Sequence, residues 1–262
     1  MQLRRACKAP VRLLRQRHPD SVGDAAVKLS VIGCSPAWPN PGSAHSGYLV
    51  EGEGRLLLDC GAGVLARLRE REPWPHIDAI AISHLHFDHW ADLVPWATGA
   101  SFGPGRAVPR PTLWLPPGGT ETIRAIAPVL APGVLGAFSI HEYADATPFR
   151  AAGFEVTPLR VPHYDQPTFG MRVTDGERTL AYSADSAPSP ALAELARAAD
   201  LFICEATLAE PEPAMRGHLT EQEAVAAHRE AGAGRLLIVH RPGELPLDEA
   251  QTRAWDGYET TV

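Results

Sequence analysis

Seven consecutive residues, Ser83-His84-Leu85-His86-Phe87-Asp88-His89, constrain this chain more than any other feature. Three histidines and an aspartate fall within six positions. They follow the run Asp78–Ser83 (DAIAIS), which reads as a strand buried on both faces. Imidazoles and carboxylates together suit zinc and similar divalent metals. Four donors at one strand end exceed what a single catalytic zinc takes from one segment, so two metals sharing the cluster is the natural solution.

The rest of the chain is organised around runs of the same kind. Leu29–Ile32, Gly47–Val50 and Arg55–Asp59 read as strands separated by turn signals. Thr112–Leu115, Gly153–Val161, Thr168–Thr174, Arg178–Tyr182, Asp200–Cys204 and Arg235–Val239 read as further strands. Val64–Glu70, Glu121–Leu130, Pro190–Ala198 and Glu221–Glu230 read as helices. Strands first, then helices interleaved with buried strands, predict sheets packed together with helices outside.

Charge is divided unevenly. The chain carries 24 basic and 31 acidic residues, a net of −7. Six of the basic residues (Arg4, Arg5, Lys8, Arg12, Arg15 and Arg17) lie in the first 18 positions, where there is no acid. The remainder therefore has 18 basic against 31 acidic residues, a balance of −13. An acidic body argues against a broad nucleic-acid footprint. Residues 1–27 read as an extension, a mobile tail or a start placed too far upstream, with a transit segment or a nucleic-acid arm as alternatives. Residues 28–262 read as one domain. No apolar run reaches membrane-spanning length. Cys7, Cys34, Cys60 and Cys204 form no CxxC pair and read as reduced core thiols, which places the protein in the cytoplasm.

The cluster resembles the metallo-β-lactamase fold superfamily: His84-x-His86-x-Asp88-His89 matches its HxHxDH motif without a gap. Further matches follow in chain order, each at the carboxyl end of a predicted strand. These are Asp59-Cys60-Gly61 for Asp-x-Gly, His163 for the fifth ligand, Asp185 for the bridging aspartate and His240 for the last histidine. The resemblance spans Lys28 to His240. One departure is the setting of Asp185 between Ala184 and Ser186, where the family has Gly and Thr. The resemblance implies an α/β fold, the four-layer αβ/βα sandwich. It also implies two divalent ions, zinc first with manganese or iron as alternatives. One would sit on His84, His86 and His163, the other on Asp88, His89 and His240, with Asp185 bridging. Such a pair would lie about 3.5–4 Å apart and hold a shared hydroxide. Asp59 is expected to steady a ligand imidazole through its other ring nitrogen.

The fold implies hydrolysis without naming the substrate. Cys204-Glu205-Ala206-Thr207 and Gly217-His218-Leu219-Thr220 resemble the HEAT and HST segments of the phosphodiesterase branch, which includes tRNase Z. Cys204 replaces the first His of one and Leu219 the Ser of the other. Thr220-x-x-Glu223 is a capping box, so His218 stands just ahead of a helix start, a setting that favours anions. Asp88, His218 and Glu205 are the expected catalytic residues, with His218 as proton donor and Glu205 as its orienter.

The pattern is similar to small bacterial relatives of class II cyclic-nucleotide phosphodiesterases. Their echoes are Ile32-Gly33-Cys34-Ser35, Ser46-Gly47-Tyr48-Leu49 and Thr168-Phe169-Gly170-Met171-Arg172. The tRNA enzymes carry an arm between the fifth histidine and the bridging aspartate. Here His163 and Asp185 are 22 positions apart, room for two strands and a turn. The expected activity is therefore cleavage of a small phosphodiester, with tRNA 3′ processing and lactone or thioester hydrolysis as alternatives. A homodimer is compatible with the sequence. Trp38, Trp90 and Trp96 are expected to pack, and His18, His76, His141 and His228 to be ordinary structural histidines.

Overall fold

The computed structural model describes residues 26–126, 128–213 and 215–262. The expected extension, apart from its last two residues, and Cys7 lie outside them. Val27 is buried, and its carbonyl accepts a hydrogen bond from the Val262 amide.

The first half of the chain runs β1 (Lys28–Gly33), β2 (Gly47–Glu51), β3 (Arg55–Leu58), α1 (Val64–Arg71), β4 (Ala79–Ala81), α2 (Phe87–Trp90) and α3 (Leu93–Phe102). It continues through β5 (Thr112–Leu115), α4 (Gly119–Ile126), α5 (Ala131–Gly136) and β6 (Ser139–Glu142). The second half holds β7 (Phe149–Ala151), β8 (Phe154–Val161), β9 (Thr168–Thr174), β10 (Thr179–Tyr182), α6 (Pro190–Leu195), β11 (Leu201–Glu205), α7 (Glu221–Ala231), β12 (Arg235–Val239), β13 (Thr252–Arg253) and β14 (Glu259–Thr261). Two seven-stranded sheets result, in the orders β14-β1-β2-β3-β4-β5-β6 and β13-β12-β11-β10-β9-β8-β7.

The apolar runs explain the layering. Along a strand successive side chains face opposite ways. Leu56, Leu58, Ala79 and Ala81 therefore enter the core between the sheets, where they meet Phe154, Met171, Tyr182, Ile203 and Val239. Leu57 and Ile80 face the other way, into a second core under α1 and α3 with Trp90 and Trp96. Ala181, Phe202 and Ile238 do the same on the second sheet, under α6 and α7. Three apolar cores between four layers make the single-domain α/β sandwich expected from the sequence.

Trp90 and Trp96 pack as expected, whereas Trp38 is exposed. Cys34, Cys60 and Cys204 are buried free thiols. α4 ends at Ile126, before Pro128, short of the expected Leu130. No helix among the described residues is long and apolar enough to cross a membrane.

Candidate metal centre

β3, β4, β8, β10 and β12 end at one rim of the sandwich, because β3 pairs parallel with β4 and β10, β11 and β12 run parallel. β8 joins them through two antiparallel steps, β8 with β9 and β9 with β10. Asp59, His84, His163, Asp185 and His240 follow those ends. A short turn then brings His86, Asp88 and His89 onto the start of α2. The seven expected ligands thus converge from both sheets, although the most distant are 156 positions apart in the chain. They fall into two groups: His84, His86, His163 and Asp185, and Asp88, His89, Asp185 and His240. Asp185 belongs to both.

Four of the histidines are held in the same way. His84 Nδ1 meets Ser83 Oγ at 3.1 Å, His163 Nδ1 donates to the Gly217 carbonyl at 2.6 Å, His89 Nδ1 meets Asp59 Oδ2 at 2.8 Å, and His240 Nδ1 meets Thr207 Oγ1 at 2.9 Å. Each Nε2 is left facing the centre. An outward partner fixes a ligand imidazole's tautomer and ring orientation. His86 is reversed: its Nδ1 lies 3.2 Å from His84 Nε2 and 3.0 Å from His163 Nε2.

That geometry suits a cation. Burial pushes the pKa values of His84, His86 and His163 down, so these rings are neutral. Three neutral rings cannot all satisfy one another across such distances, since the inward nitrogens present lone pairs. His89 Nε2 and Asp185 Oδ1 are buried with no hydrogen-bond partner. Around the second group the balance is acidic. Burial lowers the His89 pKa, but Asp185, Asp88 and Asp59 outweigh that effect and push it up. The neighbouring imidazoles overcome burial and keep Asp88 and Asp185 ionised. Nitrogen lone pairs on one side and surplus carboxylates on the other are the donor set of divalent metals.

Asp59 acts as expected from the sequence. Fully buried, it holds Ser83 through N (2.7 Å) and Oγ (2.8 Å), His89, and the hydroxyl of Tyr182 (2.7 Å). Gly61 is required nearby, because a Cβ there would sit 2.0 Å from the Asp88 carbonyl oxygen.

His218 and Glu205 also reach the centre. Glu205 is fully buried and its carboxylate is saturated. Oε1 accepts from the Ser186 amide (2.9 Å) and His218 Nδ1 (2.9 Å), and Oε2 from Thr207 N (3.0 Å) and Oγ1 (2.8 Å). Burial opposes a charge on His218, but Glu205 outweighs it and lifts the pKa to about 9. The ring of His218 lies 4.9 Å from that of His163 and 5.5 Å from that of His240. The capping box is present on α7: Thr220 Oγ1 accepts from Glu223 N, and Glu223 Oε2 accepts from Thr220 N. It spends helix-end donors on the cap, so Glu205, and not the helix start, governs His218.

Two residues with contacts here were given no role by the sequence, although Thr207 closes the HEAT-like segment. Thr207 touches both Glu205 and His240. Tyr164 follows His163 and packs on His218.

A family model for the beta-lactamase superfamily domain matches residues 54–241. The chain belongs to this family. Among beta-lactamase superfamily proteins, the probable metallo-hydrolase YhfI of Bacillus subtilis strain 168 is 32% identical over 224 residues, covering 82% of this chain and 87% of YhfI. The crystal structure of YhfI, a metallo-beta-lactamase fold protein, aligns with a TM-score of 0.77 at 27% identity, over 89% of this chain and 99% of that one. Ribonuclease Z of Salinibacter ruber strain DSM 13855 is 30% identical over 290 residues, covering 87% of this chain and 89% of the enzyme. A diphosphatase of the PhnP family shares the fold at a TM-score of 0.71 and 20% identity, over 89% and 97% of the two chains.

Proposed function

We propose that this beta-lactamase superfamily member is a metal-dependent hydrolase of small phosphodiesters, a cyclic nucleotide being the expected kind. The hydrolase reading rests on the ligand set and the likeness to YhfI. The phosphodiester reading is carried by one observation, the His218–Glu205 pair beside the cluster.

His84, His86 and His163 would hold one divalent ion and Asp88, His89 and His240 the other, with Asp185 shared and zinc the expected metal. Such ions, when bound, polarise a phosphoryl oxygen and bring the pKa of a water towards ~7. The chain's own groups supply the rest. Asp88 Oδ2, 3.1 Å from His240 Nε2, is a carboxylate acceptor that orients the attacking water. Glu205 holds His218 as a cation. Its other ring nitrogen is then a proton donor for the departing alkoxide, the demanding part of diester cleavage. An acyl substrate such as a lactone has less need of that donor.

The Ribonuclease Z relative keeps tRNA processing as the second reading. Against it, the stretch between His163 and Asp185 is filled by β9 and β10, paired from Thr179↔Thr174 to Tyr182↔Met171. No segment is left there for an arm. The deciding experiment measures metal content, then turnover of a cyclic nucleotide, an alkyl phosphodiester, a lactone, a thioester and precursor tRNA. Turnover of the small diesters is expected. Cleavage of precursor tRNA alone, or of the lactone or thioester alone, overturns the reading.

A further inference from the structure

Tyr164 stands out among the residues beside the cluster. It is 40% exposed although it directly follows the buried His163. Its ring centroid lies 4.9 Å from that of His163 and 5.7 Å from that of His218, edge-on to the latter. Its backbone is left-handed, with φ 45°. A bulky residue rarely takes that conformation, which persists only where the surroundings enforce it. Here they do: the ring lies so close to Gly217 that a Cβ on that glycine would sit 2.1 Å from Cε2. Seven non-glycine residues among those described have positive φ, and four of them, Asp59, Tyr164, Ala184 and His240, are at or beside the candidate ligands. Asp59, Ala184 and His240 are buried in the strand-end loops that deliver the ligands. The contacts of the Tyr164 side chain with the site are made by its ring, against His163, His218 and Gly217. The strained backbone therefore serves to stand a rigid ring at the open edge of the site, next to the proton donor.

We infer that Tyr164 is a substrate-contacting residue, a stacking wall for a planar ring carried by the substrate's organic group, as in a nucleobase. This deepens the phosphodiesterase reading and rests on it. An aromatic face held rigid loses little freedom on binding, and stacking on it is tolerant of base identity. The ring, not the hydroxyl, is what the site presents: Tyr164 meets His163, His218 and Gly217 through its ring.

The test uses the metal-loaded protein and four variants: Y164N, Y164A, Y164F and Y164W. Calorimetry reads the Kd of a purine nucleoside 5′-monophosphate and of inorganic phosphate, with metal content and Tm alongside. Y164N and Y164A should weaken nucleotide binding about tenfold or more, the change that loss of one stacking contact corresponds to. Phosphate binding and metal content should be unchanged, and Y164F and Y164W should bind nucleotide like the parent. Asparagine accepts the left-handed region, so the Tm of Y164N should hold or rise. A fall in Tm with an unchanged nucleotide Kd would make the ring structural and overturn the inference. So would equal weakening of phosphate, or a Y164F as impaired as Y164A. Failure of the broader reading looks different: the parent protein would turn over none of the diesters, while the Kd comparison would still decide the role of Tyr164.

Discussion

A histidine offers two nitrogens, and what each meets decides what the residue can do. In this chain His84, His89, His163 and His240 each use Nδ1 outward and keep Nε2 for the centre. Thr207 is the most informative of the outward partners, because its hydroxyl touches His240 Nδ1 and Glu205 Oε2 at once. Replacing it with valine keeps the shape and removes both contacts. T207V should lower metal affinity about 10- to 100-fold, read by titration against a chelating indicator, while T207S keeps it. Parental affinity in T207V would mean that His240 needs no such support. His218 tests the chemistry. H218A should retain its metal and fold but lose about 10²-fold or more in turnover of an alkyl phosphodiester. The loss should be much smaller for a nitrophenyl ester, whose leaving group hardly needs a proton. Equal losses on both esters would assign His218 to phosphate binding.

Helix α7 positions the residues just ahead of it. Its start is closed by the Thr220–Glu223 box, and Glu223 is further gripped by both guanidinium nitrogens of Arg216, at 2.6 and 2.7 Å. Its end is closed by Gly232, left-handed at φ 61°. T220A should cost about 1 kcal/mol. In a chain of this size that is a fall of ~2–4 °C in Tm. Metal content, set by the strand ends, should not change, and a matching loss of metal would show that the cap also supports the centre. α2 and α3 are among the elements that sequence reading did not find, with α5 and the short strands β7, β13 and β14. The run Phe87–Phe102 is apolar nearly all round and holds Pro95, so it shows no helical stripe. It folds as helix because the proline falls in the first turn of α3, where its missing N–H costs nothing, and because Trp90, Leu93 and Trp96 plug the core under the first sheet.

The centre is also a tie between the two sheets. His84, His86, Asp88 and His89 come from the first, and His163, Asp185 and His240 from the second. An ion bound there is bound only by the folded chain, so it should stabilise the whole sandwich, by ~2.7 kcal/mol at a free concentration 100 times Kd. Chelation should therefore lower Tm, and added zinc or manganese should restore it. H86A, which removes one donor of the first group, should lose turnover, bind less metal and show a smaller gain on adding it. A Tm indifferent to chelator and metal would contradict a cation at this junction.

Much of this was legible in the residues. The alternation along Arg55–Leu58 and Ala79–Ala81 follows from the pleat, and the HxHxDH run declares its chemistry because its donors are neighbours in the chain. The capping box is local for the same reason. His163, Asp185 and His240 were placed by resemblance, since a lone histidine or aspartate carries no local mark of a ligand. What lay beyond the linear order was everything set by contacts between distant segments. Nothing in the sequence says that the Gly217 carbonyl accepts a hydrogen bond from His163 Nδ1, 54 positions away, or that Thr207 meets His240 across 33. Nor does it say that β14 closes the first sheet against β1 from the other end of the chain. A side chain's type limits which bonds it can make, and the folded backbone chooses among them, because only folding fixes which groups stand within three ångströms of one another.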